Sequence, residues 1–459
     1  MMSMLKSIKK RKLQTALSLI LAAVLAVTFL FGTVSEAANT DFGINLSIKA
    51  TEKFYTFDVE VKRKASSFEG RVVVVVNDDA VGYVGYSKEI SVAAEATEYA
   101  SINVPKDAVK NNARFYIYIL DEDDNIEYQE IFTSIADILG TDEYSKTSIP
   151  NLDLYDVTNV QGYMEEPAGE LSGVLSILII IYIVLVGPVI YLILKAVNKR
   201  EFIWIVVPGM TVVFLFIMYL IGMSTTAKGD RFKSIELVNY TTGTSSTYVF
   251  GYTPSPQNWT VKTKDNYSGG RSLVGGYNSD ETTVYRSELQ EDLNNTILRF
   301  KPRYNYETAC FELRSDAKPE GSITMQPSAT DPFLIKVTNK TGQHLDYLYM
   351  SSMYGDDLVE DVDPNETVEI RLAVTDPDYS LVLNKKALQD IYIKPAYDGG
   401  DVKKSSELAA IYIALEAAYV DSDEAFVIGV TKGTSKTDRD EKSFRCFYDS
   451  YRYQNREEY

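Results

Sequence analysis

Two uncharged apolar runs in the middle of the chain, Leu171 to Leu194 and Phe202 to Met223, constrain this sequence more than any other feature. Each is roughly 20 residues long, the length a helix needs to cross about 30 Å of hydrocarbon. The segment between them, Lys195 to Glu201, carries Lys195, Lys199 and Arg200 and is far too short to fold alone. The pattern predicts membrane helices at 171–194 and 202–223, joined by a basic cytoplasmic turn at 195–201. The remainder of the chain is then a region before the hairpin and a region after it.

The chain opens with Lys6, Lys9, Lys10, Arg11 and Lys12, runs uncharged from Leu13 to Phe31, and reaches Ser35, Glu36, Ala37 and Ala38. That order is a secretory signal over 1–37, with small residues at Ser35 and Ala37 before a cut; the apolar run is also long enough to remain as an uncleaved anchor. Either outcome exports the residues between this segment and the hairpin. Because the hairpin re-enters the cytoplasm only at its turn, both large regions are expected to be extracytoplasmic. The basic turn and the acidic flank of Glu165, Glu166 and Glu170 agree with the excess of Lys and Arg on cytoplasmic flanks, whereas Lys228, Arg231 and Lys233 run against it.

The formal charge is −18, and the basic signal segment leaves the exported part more negative still. Such a surface argues against nucleic acid as a partner and suits a solvated exterior, as on a bacterial surface protein of Gram-positive type. The two cysteines, Cys310 and Cys446, both fall in the second exported region, where a disulfide is chemically permitted. The sequence leaves their pairing open.

Residues 38–133 alternate apolar and polar with period two, as in Tyr55, Phe57, Val59 and Val61 against Thr56, Asp58, Glu60 and Lys62. Val72 to Val76 is unbroken, as in a strand covered on both faces. Asn77-Asp78-Asp79, Asn111-Asn112 and Asp121 to Asn125 punctuate these runs. About seven strands in this length predict an immunoglobulin-like β-sandwich. Residues 134–170 read as a linker. A second β-rich extracytoplasmic region is expected over 228–431, with strands including Ser234 to Tyr240, Ser246 to Tyr252 and Thr367 to Val374. It contains one amphipathic helix from Glu407 to Tyr419, capped by Ser405 or Ser406. Asn266 to Asp280, rich in Gly and Ser, is expected to be a loop, and 432–459 a loosely ordered tail. The fold class is therefore membrane-anchored and mainly β.

Little of the sequence supports catalysis. A Ser-His-Asp triad requires a histidine, and the only one, His344, lies in the polar stretch Asn339 to Asp346. The usual His-containing zinc sets fail for the same reason, and two cysteines cannot make a Cys-only one. Ser315-Asp316-Ala317-Lys318 and Lys340-Thr341-Gly342 match Ser-Lys hydrolase strings, but both fall at turns and lie too close together for the intervening helical domain. Asp121, Asp123 and Asn125 alternate like calcium ligands yet lack the turn glycine and closing glutamate, so a hairpin turn is favoured. Asp356, Asp357, Glu360, Asp361 and Asp363 read as a solvated loop, with weak calcium binding the minority reading. No phosphate loop follows Gly269-Gly270 or Gly275-Gly276. Tyr252, Tyr277, Tyr304, Tyr306 and Trp259 are candidates for stacking on sugars or a protein partner. No cofactor is implied.

The hairpin carries the most specific signal. Gly187-Pro188 interrupts the first helix and Pro208 the second, while Trp204 and Tyr219 sit near opposite interfaces. Neither helix holds an ionisable interior residue, which argues against an ion path. The run Gly187-Pro188, Tyr191, Leu194, Lys199-Arg200-Glu201, Trp204 and Pro208 resembles the hairpin of poorly characterised Gram-positive cell-envelope membrane proteins. Asn339 to Gly342 leading to Asp363-Pro364-Asn365-Glu366 resembles a turn pattern in their last domain. The resemblance implies location and architecture: signal peptide, β-sandwich, two-helix hairpin and a C-terminal β region. It carries over no catalytic residues.

The expected function is accordingly non-enzymatic. The chain reads as an accessory or scaffolding subunit of a membrane assembly such as an exporter, with the bilayer and other membrane proteins as partners. The alternative is a surface module for glycan or cell-wall polymer, and a hydrolase is the least favoured reading.

Overall fold

The computed structural model describes residues 41–51, 53–64, 66–78, 82–109, 115–132, 162–164, 169–198, 200–225, 230–254, 256–273, 286–292, 294–302, 307–328, 330–331, 333–352, 355–372, 388–418 and 424–452. The expected signal segment and most of the 134–170 linker lie outside them.

Seven described strands precede the hairpin: β1 (Phe42–Ala50), β2 (Phe54–Arg63), β3 (Phe68–Asp78), β4 (Gly82–Val92), β5 (Thr97–Pro105), β6 (Phe115–Asp121) and β7 (Ile126–Phe132). After it come β8 (Arg231–Asn239), β9 (Thr244–Thr253), β10 (Trp259–Lys262), β11 (Gly269–Ser272), β12 (Ser287–Glu291), β13 (Thr296–Phe300) and β14 (Glu307–Ser315). The last group is β15 (Ile323–Pro327), β16 (Leu334–Asn339), β17 (Leu345–Ser352), β18 (Gly355–Val362), β19 (Thr367–Arg371), β20 (Glu424–Lys432) and β21 (Asp440–Arg452). The helices are α1 (Gly169–Val184), α2 (Ile190–Ala196) and α3 (Ile203–Thr225) in the hairpin, then α4 (Lys394–Asp398) and α5 (Val402–Ala418).

The period-two pattern of β2 is realised directly, with Phe57, Val59 and Val61 fully buried. They face Val72, Val74 and Val76 of β3, while Val73 and Val75 point the other way into a separate cluster with Tyr118 and Leu120. The unbroken valine run is thus a strand covered on both faces. A three-stranded sheet, β1-β2-β5, lies over a seven-stranded sheet of order β10-β13-β12-β4-β3-β6-β7.

That order joins the two halves of the chain. β4, from before the hairpin, pairs in parallel with β12, from after it, from Val84 opposite Ser287 to Ser87 opposite Gln290. The shared core runs through Phe57, Ile117, Trp259, Phe300 and Phe311. The division of the chain into separate bodies before and after the hairpin is corrected here: β4 is central, and its free edge is completed by β12 because a strand rich in buried residues cannot leave its ladder groups unpaired.

An eight-stranded sheet, β11-β14-β9-β8-β21-β20-β17-β18, makes the second layer system. One face, including Ile235, Tyr248, Phe250, Tyr349 and Ile428, packs on α5. The opposite face, including Val238, Leu348, Met350, Val427 and Phe447, packs on the three-stranded sheet β15-β16-β19.

Four sequence expectations change. Residues 440–452 of the expected loose tail form β21, a central strand parallel to β8 and antiparallel to β20. Its Phe444, Cys446, Phe447 and Tyr448 are buried on both faces, so no single period appears. Gly269–Ser272 of the expected loop is β11, where a Cβ on Gly270 would stand 2.7 Å from the Glu312 carbonyl oxygen; the glycine allows strands to approach closely rather than a loop to move. The acidic run Asp356 to Asp361 lies on β18, the sheet's edge, where charge opposes further strand addition. Finally, α5 begins at Val402, and its cap is Asp401, whose Oδ1 accepts the Lys404 N–H at 3.0 Å. Ser405 to Leu415 are buried all round, so the expected amphipathic stripe is replaced by burial on every side.

Candidate functional site

The hairpin and its attachment to the sheets form the most distinctive arrangement in the molecule. Gly187 and Pro188 fall in a π-helical turn, Leu185–Val189, between α1 and α2. Proline lacks the N–H for the regular ladder, and the wider turn absorbs the defect without breaking the helix. Pro208 is inside α3. The Tyr182 hydroxyl lies 2.7 Å from Thr211 Oγ1, and the Thr211 hydroxyl donates to the Val207 carbonyl at 2.9 Å. Tyr182 therefore donates to Thr211 across the two arms. The Tyr182 and Phe214 rings pack at a tilt of 33° beside this bond, with centroids 4.5 Å apart. Around the turn, the Arg200 guanidinium sits 6.0 Å from the Tyr191 ring centroid. Trp204 is 72% exposed and Glu201 is exposed, while Lys199 lies outside the described residues. Many of the described apolar side chains of both arms, among them Ile180, Leu192, Val212 and Phe216, face outward.

Below the hairpin, the single turn Gly162–Met164 is clamped to the sheet body. The Ser405 hydroxyl donates to the Tyr163 carbonyl at 2.8 Å, while the Ser406 hydroxyl donates to the Val402 carbonyl of its own helix at 2.5 Å and its oxygen accepts from Lys442 at 3.2 Å. Lys442 Nζ also reaches the Met164 carbonyl at 2.8 Å. Met164 itself is fully buried in the α5 core, and Tyr163 packs edge-on against Tyr397 at 5.2 Å. The returning chain enters β8 at Arg231, and Lys442 of β21 pairs in register with Lys233 of β8. Entry and exit of the hairpin are therefore held at the same end of two adjacent strands.

A buried ionic network crosses the β4–β12 join. Glu288, 1% exposed, accepts at Oε1 from Arg71 Nε at 2.9 Å, Arg299 Nη1 at 2.9 Å and Ser87 Oγ at 2.6 Å. Arg71 also pairs with Asp124, and Gln290 donates to Glu89 at 2.8 Å. Arg71 and Arg299 border two open clefts, of about 490 and 270 Å³. Deeper in the second sheet, burial opposes the charge of Glu312, but Arg314 and Arg271 outweigh it and hold the carboxyl below the usual range.

Several sequence candidates take plainer roles. Trp259, expected among exposed stacking residues, is 3% exposed and packs against Phe232, Phe300 and Phe311, so its flat face is consumed by the core. Tyr252 is half-buried, and Tyr277, Tyr304 and Tyr306 lie outside the described residues. Cys310 and Cys446 are free, buried thiols. They belong to β14 and β21, three strands apart in the sheet, roughly 14 Å at the usual strand spacing and beyond any S–S bond.

Asp121 is a turn residue: its carboxylate accepts from the Asn125 side chain and from the Asn125 and Asp123 backbone, which lowers its pKa. His344 is exposed, with Nδ1 3.0 Å from Asp363 and Nε2 3.5 Å from Asp361; the Asp363 hydrogen bond raises its pKa. Ser315 closes β14, where its hydroxyl accepts from the Ala317 N–H, and Lys340 to Gly342 form the turn before β17. Among the described residues no cluster of three or more His, Cys, Asp or Glu is placed to hold a metal ion. The clamp residues Ser405, Ser406 and Lys442 and the Tyr182–Thr211 bond escape sequence reasoning, since their partners are carbonyls and hydroxyls remote along the chain.

No protein-family model and no curated protein matches this sequence. Among solved structures, a β-glucosidase from Kluyveromyces marxianus in complex with glucose is similar at 13% identity over 21% of this chain and 14% of that one, with a TM-score of 0.16. Red sea bream transglutaminase is similar at 9% identity over 72% of this chain and 31% of that one, with a TM-score of 0.15. The chain spans less than a third of either protein, and likenesses at these scores carry no argument about activity.

Proposed function

We propose that this chain is a non-enzymatic integral membrane protein of the cell envelope, an accessory or scaffolding subunit that presents one composite β body outside the membrane. The carrying observation is the β4–β12 pairing. Strands on opposite sides of a bilayer cannot share a ladder, so the regions flanking the hairpin belong on one side and the Lys195 to Arg200 turn on the other. The signal-like first residues and the basic turn favour the outer side for the body. Helices at Ser176–Ala196 and Arg200–Tyr219 are long and apolar enough to cross. Their outward apolar surface suits lipid and partner helices, and the clamp at Tyr163 and Met164 transmits a shift of the hairpin to the sheets. The N-terminal strands keep the two-sheet layering of an immunoglobulin-like sandwich in this reading. A glycan-binding role loses its strongest aromatic, because Trp259 is core.

Single cysteines placed at the exposed positions Ala94, Asn198 and Gln326 and challenged in intact cells with a membrane-impermeant thiol reagent test the topology. Both native thiols are fully buried and add little background. Labelling at Ala94 and Gln326 without Asn198 is expected. Labelling at Asn198 alone would reverse the orientation, and a split between Ala94 and Gln326 would contradict the shared sheet.

A further inference from the structure

Glu407 follows the clamp residue Ser406 on α5 and is 3% exposed. Its Oε1 lies 3.7 Å from Lys403 Nζ, and its Oε2 is buried with no hydrogen-bond partner. Lys403 sits closer to Asp346 of β17, at 3.0 Å, so one ammonium serves two carboxylates. Asp401, the helix cap, adds a third negative charge. The surrounding elements contribute Tyr347 from β17, Lys404 paired with Glu360 of β18 at 2.5 Å, and Lys442 of β21, which lies 3.2 Å from Ser406 Oγ. Burial first, and then the Asp346 charge, push the Glu407 carboxyl up to about 7 against the opposing pull of Lys403.

An ionised Glu407 therefore places an incompletely compensated charge in the helical turn that grips Gly162–Met164. We propose that Glu407 is a proton-operated latch on the hairpin's attachment: protonated, it lets the Ser405–Ser406 turn hold the Tyr163 carbonyl directly and the Met164 carbonyl through Lys442, and ionised, it loosens that hold. The sign follows from the raised value. The folded state keeps the proton that an opened turn releases, so the stabilisation is complete below about 4.5 and is lost as pH rises through about 7.

Hydrogen exchange of the segments 162–164 and 402–408, in the full chain in lipid nanodiscs, measures the opening. The Ser405 amide, which donates to the Asp401 carbonyl at 3.0 Å, reports the turn. After division by the intrinsic rate, opening should increase roughly 30-fold between pH 5.5 and 8.5, if the opened carboxyl titrates near its ordinary value. Glu407→Gln should flatten the profile, and Asp346→Asn should move its midpoint to lower pH. A flat wild-type profile, or an unchanged rise in Glu407→Gln, overturns the latch. The latch rests on the reading of the hairpin as membrane-spanning, which alkaline extraction tests separately: release of the full chain from membranes overturns that reading, independently of the exchange result.

Discussion

Replacing Glu288 with alanine tests whether the regions before and after the hairpin are one cooperative unit. The side chain lies at the β4–β12 join and accepts three hydrogen bonds, from Arg71, Arg299 and Ser87. Alanine removes the carboxylate that Arg71 and Arg299 share across the seam, while Arg71 keeps its pair with Asp124. Breaking a buried pair from one side costs about 3–5 kcal/mol when the remaining charge is left uncompensated; with Asp124 still beside Arg71, the low end, about 3 kcal/mol, is expected. For a unit of this size that corresponds to a fall in melting temperature of roughly 5–10 °C. The assay is thermal unfolding of the full chain in detergent, followed by limited proteolysis with antibodies to tags at each end. Both ends should lose protection together and at the lower temperature. Glu288→Gln, which keeps an acceptor oxygen, should fall between wild type and alanine. An unchanged midpoint, or loss of protection confined to residues 41–132, would refute the shared sheet.

Trp259→Ala should destabilise the chain by about 3–5 kcal/mol, since the ring fills core space against Phe232, Phe300 and Phe311; chemical denaturation reads this, and a cost below about 1 kcal/mol would contradict its burial. Any loss of cell-wall retention in that variant should track unfolding measured on the same sample. Thr211→Val removes the hydroxyl that joins the hairpin arms; if the arms span a bilayer as proposed, it should cost only about 0.6 kcal/mol in a mixed-micelle unfolding titration. A cost above about 2 kcal/mol would mean that the Tyr182–Phe214 contact depends on it.

Local pattern made much of this molecule legible. The alternation of β2, the doubly covered valine run of β3, the turn at Asp121 and the two apolar helices all follow from backbone periodicity, turn chemistry and the length of the uncharged apolar runs. Each is decided within about twenty residues. Pairing between distant strands is not. Nothing in Ser287 to Glu291 signals that it extends the sheet begun by β4 some 200 residues earlier, because β ladders bond through backbone groups common to every residue. The same reason hid β21, whose faces are both buried, and Trp259, whose aromatic character fits a binding surface as well as a core.

Residue order was therefore enough to make the chain mainly β, with two apolar helices joined by a short basic turn. It took the packed molecule to make the flanking regions one body and to bring Ser405, Ser406 and Lys442 onto the segment entering the hairpin. Packing also set Glu407 beside that grip with a single ammonium to share. Those outcomes depend on burial and on proximity between residues far apart in the chain, and the free energy of a charge or an unpaired carbonyl is set by what surrounds it.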